Sequence, residues 1–564
     1  MNVKNELKNL IEKGLSSLYD TSCHPRKDAI SVLVEIPKEV SHGDYSTNVA
    51  LVIAKKLKKN PMELAQKIAD EIKKDKSARW QIEKVEVASP GFINFYLSKD
   101  FFVENIKKID KNFGKNQNLK NKKVIIEYTD PNILKEFHIG HLMSNAIGES
   151  LSRVLEFQGA KIKRANYQGD VGLHIAKAIW GKIKNPNYSW QDAYVLGSKN
   201  YKESESAKNE IIGLNKKIFE RTDKKINKIY DDGKKWSLKY FEEIYKTLDT
   251  KFDYYFFESQ VADIGKKIIE KSLGTVFEKG KNYAIIFKGE RFGLHTRVFI
   301  NSEGLPTYEA KDLALPEIKY KKYKYEKSII VTASEQDDYF KVMLCALQQI
   351  NPNLAKKTKH IGHGMMRLPE GKISSRTGKV VTFEFLLGEV EKLVLKKIAG
   401  RDLSQKEKKE ITKKVAIGAL KYSILKQSIG SDIIYDFEKS ISFDGDSGPY
   451  LQYSYARAES VLRKAKAEKI KASLKNVPKE ISQLEKDMNY FPEVVEKAGK
   501  EFEPHFITLY LTELAREFNN YYAKNKIVDK KDEFSPYKIA LTQAFSIIMK
   551  NGLWLLGINS LEKM

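Results

Sequence analysis

The chain has 564 residues, of which 41% are hydrophobic and 31% charged, with 99 Lys and Arg against 74 Asp and Glu and a formal net charge of +25. That balance excludes a disordered or fibrous chain and predicts a globular protein of roughly three to five domains. No uninterrupted run of about 18 apolar residues occurs, so no transmembrane helix is expected. Two cysteines, Cys23 and Cys345, cannot build a disulfide framework or a four-thiolate zinc site, and a reducing cytoplasm fits them. A pI near 9.4 suits a polyanionic partner such as nucleic acid, and equally a lysine-rich proteome.

The opening MNVKNELKNLIEKGLSS places Leu7, Leu10, Ile11 and Leu15 at helical spacing and carries acids, unlike a signal-peptide core. SVLVEIP (31–37) predicts a strand. Residues 48–74 predict two helices split by Pro61, a residue suited to the first helical position. KVEVASPGFINFYLS predicts two strands around a Pro90–Gly91 turn. These segments make a small α+β unit, residues 1–112, and the polar run 110–123 reads as a linker.

From Lys123 the pattern becomes strand (KVIIEYT), helix (about 140–158), strand (KIKRANY) and helix (GLHIAKAIWG), which indicates a parallel sheet with crossover helices. Residues 182–280 are lysine-rich and helical and read as an insertion. The α/β pattern resumes with NYAIIFK, TRVFIN, the helix EAKDLALPEI, the strand SIIVTAS, the helix QDDYFKVMLCALQQI and the strand HIGHGMM. From Thr382 onwards the chain is almost wholly helical. The expected division is therefore 1–112, 120–385 with an insertion at about 182–280, and 386–564.

The densest chemistry lies in EYTDPNILKEFHIGH, residues 127–141, with H-x-G-H at a turn from strand into helix. Open α/β sheets bind ligands outside the carboxyl ends of their strands. His138 and His141 beside a helix N-terminus can donate hydrogen bonds to phosphate oxygens, the helix dipole favours the same anion, and Gly140 allows close approach of a nucleotide. A zinc reading lacks a third His or Cys at metal spacing. The second element, RLPEGKISSRTGK (367–379), offers Lys372, Arg376 and Lys379 between glycines. It reads as a mobile loop over departing pyrophosphate or as a solvated basic turn. His363, in a second I-G-H string, reads as packing beside the backbone.

In this order around a split sheet, the two elements resemble the HIGH and KMSKS signatures of class I aminoacyl-tRNA synthetases. The resemblance narrows to the arginyl-tRNA synthetase family through the extended P-N-x-x-K-x-x-H-x-G-H run, GDVGLHIAK (169–177), Y-x-x-K-D (308–312) and SFDGDSGPYLQYSYARAESVLRKA (442–465). HGDYSTNVA, SPGFINF and the terminal GLWLLGINSLEKM are also similar, so the likeness runs end to end. It implies a Rossmann-type α/β catalytic domain flanked by an N-terminal α+β domain that contacts the tRNA elbow and a C-terminal all-α anticodon-binding domain.

The implied reaction is the two-step, ATP-dependent, AMP-forming ligation of L-arginine to tRNA(Arg), with Mg²⁺ accompanying ATP and no dedicated protein metal site. A guanidinium offers five donors and needs carboxylates. The family pattern maps Glu127, Tyr308 and Asp312 to that group, and Asn132 and Gln336 to the amino-acid backbone. It maps His138, Gly140, His141, Lys135 and Lys372 to catalysis, with Ser374, Ser375 and Arg376 completing the ATP contacts. Ser375 stands where the second Lys of KMSKS is usual, which gives Lys135 a phosphate role. Asp130 and Tyr339 also depart from the pattern, Tyr339 standing where His is common.

Phe92 with Asn94 reads either as a base-stacking platform or as sheet core. Tyr450, Gln452, Tyr453 and Arg457 read as tRNA contacts or interhelix packing, and Tyr521 and Met564 as further anticodon-side candidates. The expected protein is a cytoplasmic monomer without membrane contact. A cysteinyl- or methionyl-type synthetase shares the two signatures, but the absence of a thiolate zinc set speaks against the first and the pocket carboxylates are unsuited to uncharged methionine. A catalytically silent tRNA-binding paralogue is countered by the intact His138, Gly140, His141 and Lys372.

Overall fold

The computed structural model describes residues 3–18, 32–37, 39–75, 81–369 and 381–564. Helix α1 (Val3–Leu18) buries Leu7, Ile11 and Leu15, the apolar stripe read in the sequence. It packs with α2 (Val49–Leu57) and α3 (Pro61–Lys74) on an antiparallel sheet of β1 (Tyr45–Thr47), β2 (Ile82–Ala88) and β3 (Phe92–Leu97), ordered β1-β3-β2. Pro61 sits in the first turn of α3, and Asn60 caps it by accepting from the Met62 and Glu63 N–H groups. The strand expected at 31–37 shrinks to one bridge, Glu35 to Ser46. Helix α4 (Lys99–Lys108) completes the unit.

The polar run after α4 is not a free linker. Phe113 stacks on Phe491 with centroids 6.3 Å apart, and its carbonyl accepts from Asn551 Nδ2 at 3.1 Å. One aromatic in the run is enough to fasten it to the C-terminal helices.

The central sheet joins β4 (Lys123–Tyr128), β5 (Lys161–Gln168), β6 (Tyr254–Phe257), β10 (Lys327–Ala333) and β11 (Thr358–His363) in the order β11-β10-β4-β5-β6, all parallel. Helix α5 (Ile139–Phe157) follows β4, and α6 (Leu173–Lys184) follows β5. Beyond come α7 (Trp190–Glu203), α8 (Glu205–Glu220) and α9 (Lys224–Thr247).

Two sequence expectations need correction here. The segment 182–280 is not wholly helical, because β6 forms the edge of the main sheet and leads into α10 (Glu258–Lys271). Its four aromatic residues are too short a run to register between long lysine-rich helices. Conversely, NYAIIFK and TRVFIN do not extend the parallel sheet. They supply β8 (Ile285–Phe287) and β9 (Arg297–Ile300), which pair antiparallel with each other and with β7 (Glu278–Lys279). The connection between them is too short for a parallel crossover.

The chain returns to the main sheet through α11 (Tyr308–Lys322), β10, α12 (Asp337–Ile350), α13 (Pro352–Lys357) and β11. A short strand β12 (Met366–Arg367) pairs with β13 (Ile433–Ile434). The rest is helical: α14 (Phe383–Ile398), α15 (Gln405–Leu425), α16 (Phe437–Ser440), α17 (Gly448–Ala467), α18 (Gln483–Asn489), α19 (Phe491–Glu501), α20 (His505–Lys524) and α21 (Ser535–Leu555).

Helix α5 lies between the sheet and these helices, and nearly every residue from His141 to Phe157 is buried. Ser150 Oγ donates to the Leu555 carbonyl at 2.9 Å, and Arg153 Nη1 to the Trp554 carbonyl at 3.1 Å. The helix that starts at the H-x-G-H turn is therefore fastened at its far end to the last helix of the chain. Among the described residues, no helix is long and apolar enough to cross a membrane.

Candidate active site

The loop between β4 and α5 is built against its own backbone preferences. Thr129, Asp130 and Leu134 all hold φ in the left-handed region, at 82°, 43° and 61°. Such residues persist only where neighbours over-determine them, and they mark functional loops. The determinants are explicit. Thr129 N donates to Ser144 Oγ at 2.9 Å, Leu134 N to Ser237 Oγ at 2.9 Å and Phe137 N to Tyr240 OH at 3.1 Å. Asp130 Oδ1 accepts from Tyr167 N at 2.7 Å. Asp130 is thus a backbone tie between β4 and β5.

His138 caps α5. Its Nδ1 accepts from Gly140 N at 3.1 Å, and His141 Nδ1 accepts from His138 N at 3.2 Å. A Cβ added at Gly140 would meet only the His138 ring, at 3.0 Å, so the glycine keeps room for that ring. Burial, then the Lys135 charge, pulls the His138 pKa down to about 4. Burial, His138 and Lys135 pull His141 well below its ordinary value. Both rings are neutral, with Nδ1 committed to the backbone and the proton left on Nε2. Lys135 Nζ lies 4.4 Å from the centre of the Tyr194 ring on α7, a contact with nothing in the local sequence to announce it. Lys372, Ser374, Ser375 and Arg376 lie outside the described residues.

On the other side of the loop, Glu127 is buried on β4 and pairs with Lys319 Nζ at 3.0 Å, a lysine with no exposed surface. Asn132 sits against Gly169, where an added Cβ would fall 2.0 Å from its Oδ1. Tyr308 and Asp312 lie one turn apart on α11, as their spacing predicts. The Tyr308 hydroxyl is 3.3 Å from His174 Nδ1, and Lys311 Nζ lies 4.3 Å from its ring centre. Lys311 itself pairs with Glu258, which burial pushes up to about 7 despite the lysine. Asp312 Oδ2 accepts from Tyr339 OH at 2.6 Å, and burial, followed by the Glu127 charge, raises its pKa to about 7 against the lowering effect of that bond. Gln336 is exposed at the carboxyl end of β10, just before α12. The sheet thus brings Glu127, Asn132, Tyr308, Asp312 and Gln336 to the edge that also holds His138 and His141.

Lys319, His174 and Tyr194 escaped the sequence reading. Two left a trace: His174 lies in the GDVGLHIAK segment, and Lys319 falls on the stripe 308, 312, 315, 319, a charged residue in line with buried Leu315. His363 is buried, with Nδ1 2.7 Å from the Gly364 carbonyl oxygen, consistent with packing.

The nucleic-acid candidates separate. Phe92 is half-exposed and lines a cleft of about 770 Å³ with Asn94, His42, Lys497 and Phe506. Asn94 is buried and its Oδ1 accepts from Ser46 Oγ at 2.7 Å. Gln452 is corrected to a packing residue: it is fully buried and donates to the Lys414 and Asn559 carbonyls. Tyr450 is also buried, its hydroxyl accepting from Asn519. Tyr453, Arg457, Tyr521 and Met564 keep partial exposure. Arg457 Nη2 donates to Tyr453 OH at 3.2 Å, and Arg401 reaches both the Tyr453 ring and the Met564 carbonyl.

A parallel sheet whose carboxyl edge sets neutral imidazoles at a helix N-terminus beside buried carboxylates suits a phosphate-bearing ligand next to a cationic one. Three family models match the chain: Arginyl tRNA synthetase N terminal domain over residues 5–97, tRNA synthetases class I (R), catalytic domain over 103–437, and DALR anticodon binding domain over 451–564. The chain is 32% identical to the arginine–tRNA ligase of Fusobacterium nucleatum over 99% of both chains. It is also 32% identical to that of Clostridium acetobutylicum, over 99% of this chain and 100% of the other. The Thermus thermophilus arginyl-tRNA synthetase structure shares the fold at a TM-score of 0.74 and 22% identity over 100% of both chains. That from Plasmodium falciparum does so at 0.78 and 22%, over 100% of this chain and 99% of its own. The chain belongs to the arginyl-tRNA synthetase family, and its activity is the ATP-dependent ligation of arginine to tRNA(Arg).

Proposed function

We propose the following division of labour for that reaction. Glu127, Asp312 and Tyr308 receive the guanidinium, while Asn132 and Gln336 receive the α-amino and carboxylate groups. The observation that carries this reading is the pair of carboxylates, Glu127 and Asp312, at the sheet edge next to the His138 cap, close enough for one charge to raise the other's pKa. The arginine carboxylate attacks the α-phosphorus of ATP in line, and pyrophosphate leaves. His138 and His141 donate through Nε2–H to the phosphate oxygens as charge builds, with Gly140 opening the turn. Lys135 adds a cation, and Lys372, Ser374, Ser375 and Arg376 bind the departing pyrophosphate. The tRNA terminal hydroxyl then attacks the arginyl carbonyl carbon, the acyl–phosphate bond breaks, and AMP leaves with the hydroxyl's proton. No covalent enzyme intermediate is needed, so catalysis is positioning plus charge stabilisation.

Mg²⁺ would enter with the ATP phosphates and neutralise part of their charge. Residues 1–112 contact the tRNA elbow through Phe92, with Asn94 supporting it. Residues 120–385 activate and transfer arginine, and 386–564 read the anticodon through the surface that holds Tyr453, Arg457, Tyr521 and Met564. The enzyme acts as a cytoplasmic monomer without membrane contact.

Replacing Asp312 with Asn tests the pocket assignment. Arginine kcat/KM measured by aminoacylation falls at least about tenfold, as expected for loss of a charged hydrogen-bond partner, while the KM values for ATP and tRNA hold. An unchanged arginine kcat/KM would remove Asp312 from the pocket.

A further inference from the structure

Asp312 and Glu127 share a feature that the residue types alone do not reveal. Each gives one oxygen to a protein donor: Asp312 Oδ2 to Tyr339 OH at 2.6 Å, and Glu127 Oε2 to Lys319 Nζ at 3.0 Å. No described residue donates to the second oxygen of either. A carboxylate on a rotatable side chain recognises a planar donor set only when its own plane is fixed, within roughly 10–20° for a productive site. We propose that Tyr339 is a positioning residue for arginine selection: its phenol, held from α12, fixes the Asp312 carboxylate of α11 with Oδ1 free for the guanidinium. The proposal rests on the assignment of Asp312 to the arginine pocket.

Tyr339 is itself immobilised. The Arg297 guanidinium carbon lies 5.4 Å from its ring centre, and Arg297 Nη1 is anchored on Glu309 Oε1 at 3.2 Å. Phe340 meets the ring edge-on at 5.1 Å and stacks on His360 at 4.0 Å. The phenol thus comes from a packed wall of β9, α12 and β11 side chains. Its 2.6 Å separation from Asp312 falls in the range of an O–H···O⁻ bond, the strong class. Burial and the Asp312 charge push the Tyr339 pKa well up, so it stays a donor across the working pH range. The same bond favours ionised Asp312, which its surroundings oppose: burial, Glu127 on β4 and Glu309 on α11 all raise it, while Lys311 lowers it. Tyr339 therefore supplies both orientation and charge state.

The experiment compares wild-type enzyme with Tyr339→Phe, Tyr339→His and Asp312→Asn, measuring KM for arginine, ATP and tRNA and the arginine kcat/KM from pH 6 to 9. Tyr339→Phe is expected to raise arginine KM about ten- to a hundredfold, the range for one charged hydrogen bond. The KM values for ATP and tRNA should stay within about twofold of wild type, and the pH midpoint of arginine kcat/KM should move up. Tyr339→His, which restores a donor, recovers most of the loss. If Asp312→Asn impairs arginine use while Tyr339→Phe leaves KM and pH profile unchanged, the positioning role is overturned and the pocket assignment stands. If Asp312→Asn is also silent, the assignment itself fails. If Tyr339→Phe lowers Tm and raises all three KM values together, Tyr339 is only a packing residue.

Discussion

The imidazoles of His138 and His141 stack face to face, their centroids 3.6 Å apart and their planes 20° from parallel. Two protonated rings could not share that separation, and burial keeps both neutral, with the His138 pKa lowered to about 4. Their depressed values mean the unfolded state takes up protons first as pH falls. Stability is therefore full above about 6.5, the unfolded value, and declines towards about 4. The adenylation rate at saturating substrates should show no imidazole inflection between pH 6 and 8. An inflection near pH 6.5 that vanishes in His138→Ala would contradict neutral donors.

Arginine recognition should also weaken on acidification, in a window set by Asp312 rather than by the imidazoles. Asp312 is raised to about 7, chiefly by burial, so in the free enzyme it ionises as pH rises through neutrality. The guanidinium stays charged throughout. Arginine kcat/KM should climb by up to tenfold per pH unit below about 7 and level off above it, and Asp312→Asn should flatten the curve. A wild-type profile that falls across the same interval would be incompatible with this assignment.

Behind the H-x-G-H turn, Glu149 is sandwiched between Arg153 Nε at 2.7 Å and Arg164 Nε at 3.0 Å, and accepts from Tyr128 OH at 2.6 Å. Arg153 continues to Asp249 and the Trp554 carbonyl, while buried Lys421 Nζ holds the Leu248 and Gly557 carbonyls at 2.6 and 2.7 Å. Glu149→Gln removes the one buried carboxylate that both arginines share. It should destabilise the enzyme by roughly 3–5 kcal/mol, as when a buried pair loses a partner. Urea denaturation reads this directly, and a loss under about 1 kcal/mol would place the arginines in effective contact with water.

Gly148 offers a test with a sign. In an exposed helix, Gly→Ala gains up to about 1 kcal/mol. Here the added Cβ would lie 2.2 Å from Tyr128 Cγ. Gly148→Ala should therefore destabilise by about 1–3 kcal/mol and depress arginine activation by shifting α5 off β4. A stabilised variant would mean that α5 and β4 are not in this contact.

What the sequence disclosed followed range. Helix α1, the Asn60–Pro61 start of α3, β4 and the cap of α5 are each written within a few residues, and their periodicity or capping residues announce them. The Tyr308–Asp312 spacing is likewise local. Strand β6 was hidden because four aromatics between lysine-rich helices carry no period of their own, and its pairing to β5 is decided by the sheet. Lys319 on Glu127 and Tyr339 on Asp312 were hidden for a related reason: each contact joins separate elements, 192 and 27 residues apart. Gln452 shows the reverse case. Beside tyrosines and an arginine it reads as a nucleic-acid contact or as packing, and only the fold decides, because its Nε2 is spent on two backbone carbonyls.

The central claim is that this site selects arginine for ATP-driven transfer to tRNA. Pyrophosphate exchange, measured with tRNA(Arg) present against each of the twenty amino acids in turn, tests it most directly. Exchange is predicted with arginine alone, lysine staying at background because an ammonium cannot match the planar donor set. Exchange driven by another amino acid in preference, or none with arginine, would contradict the account.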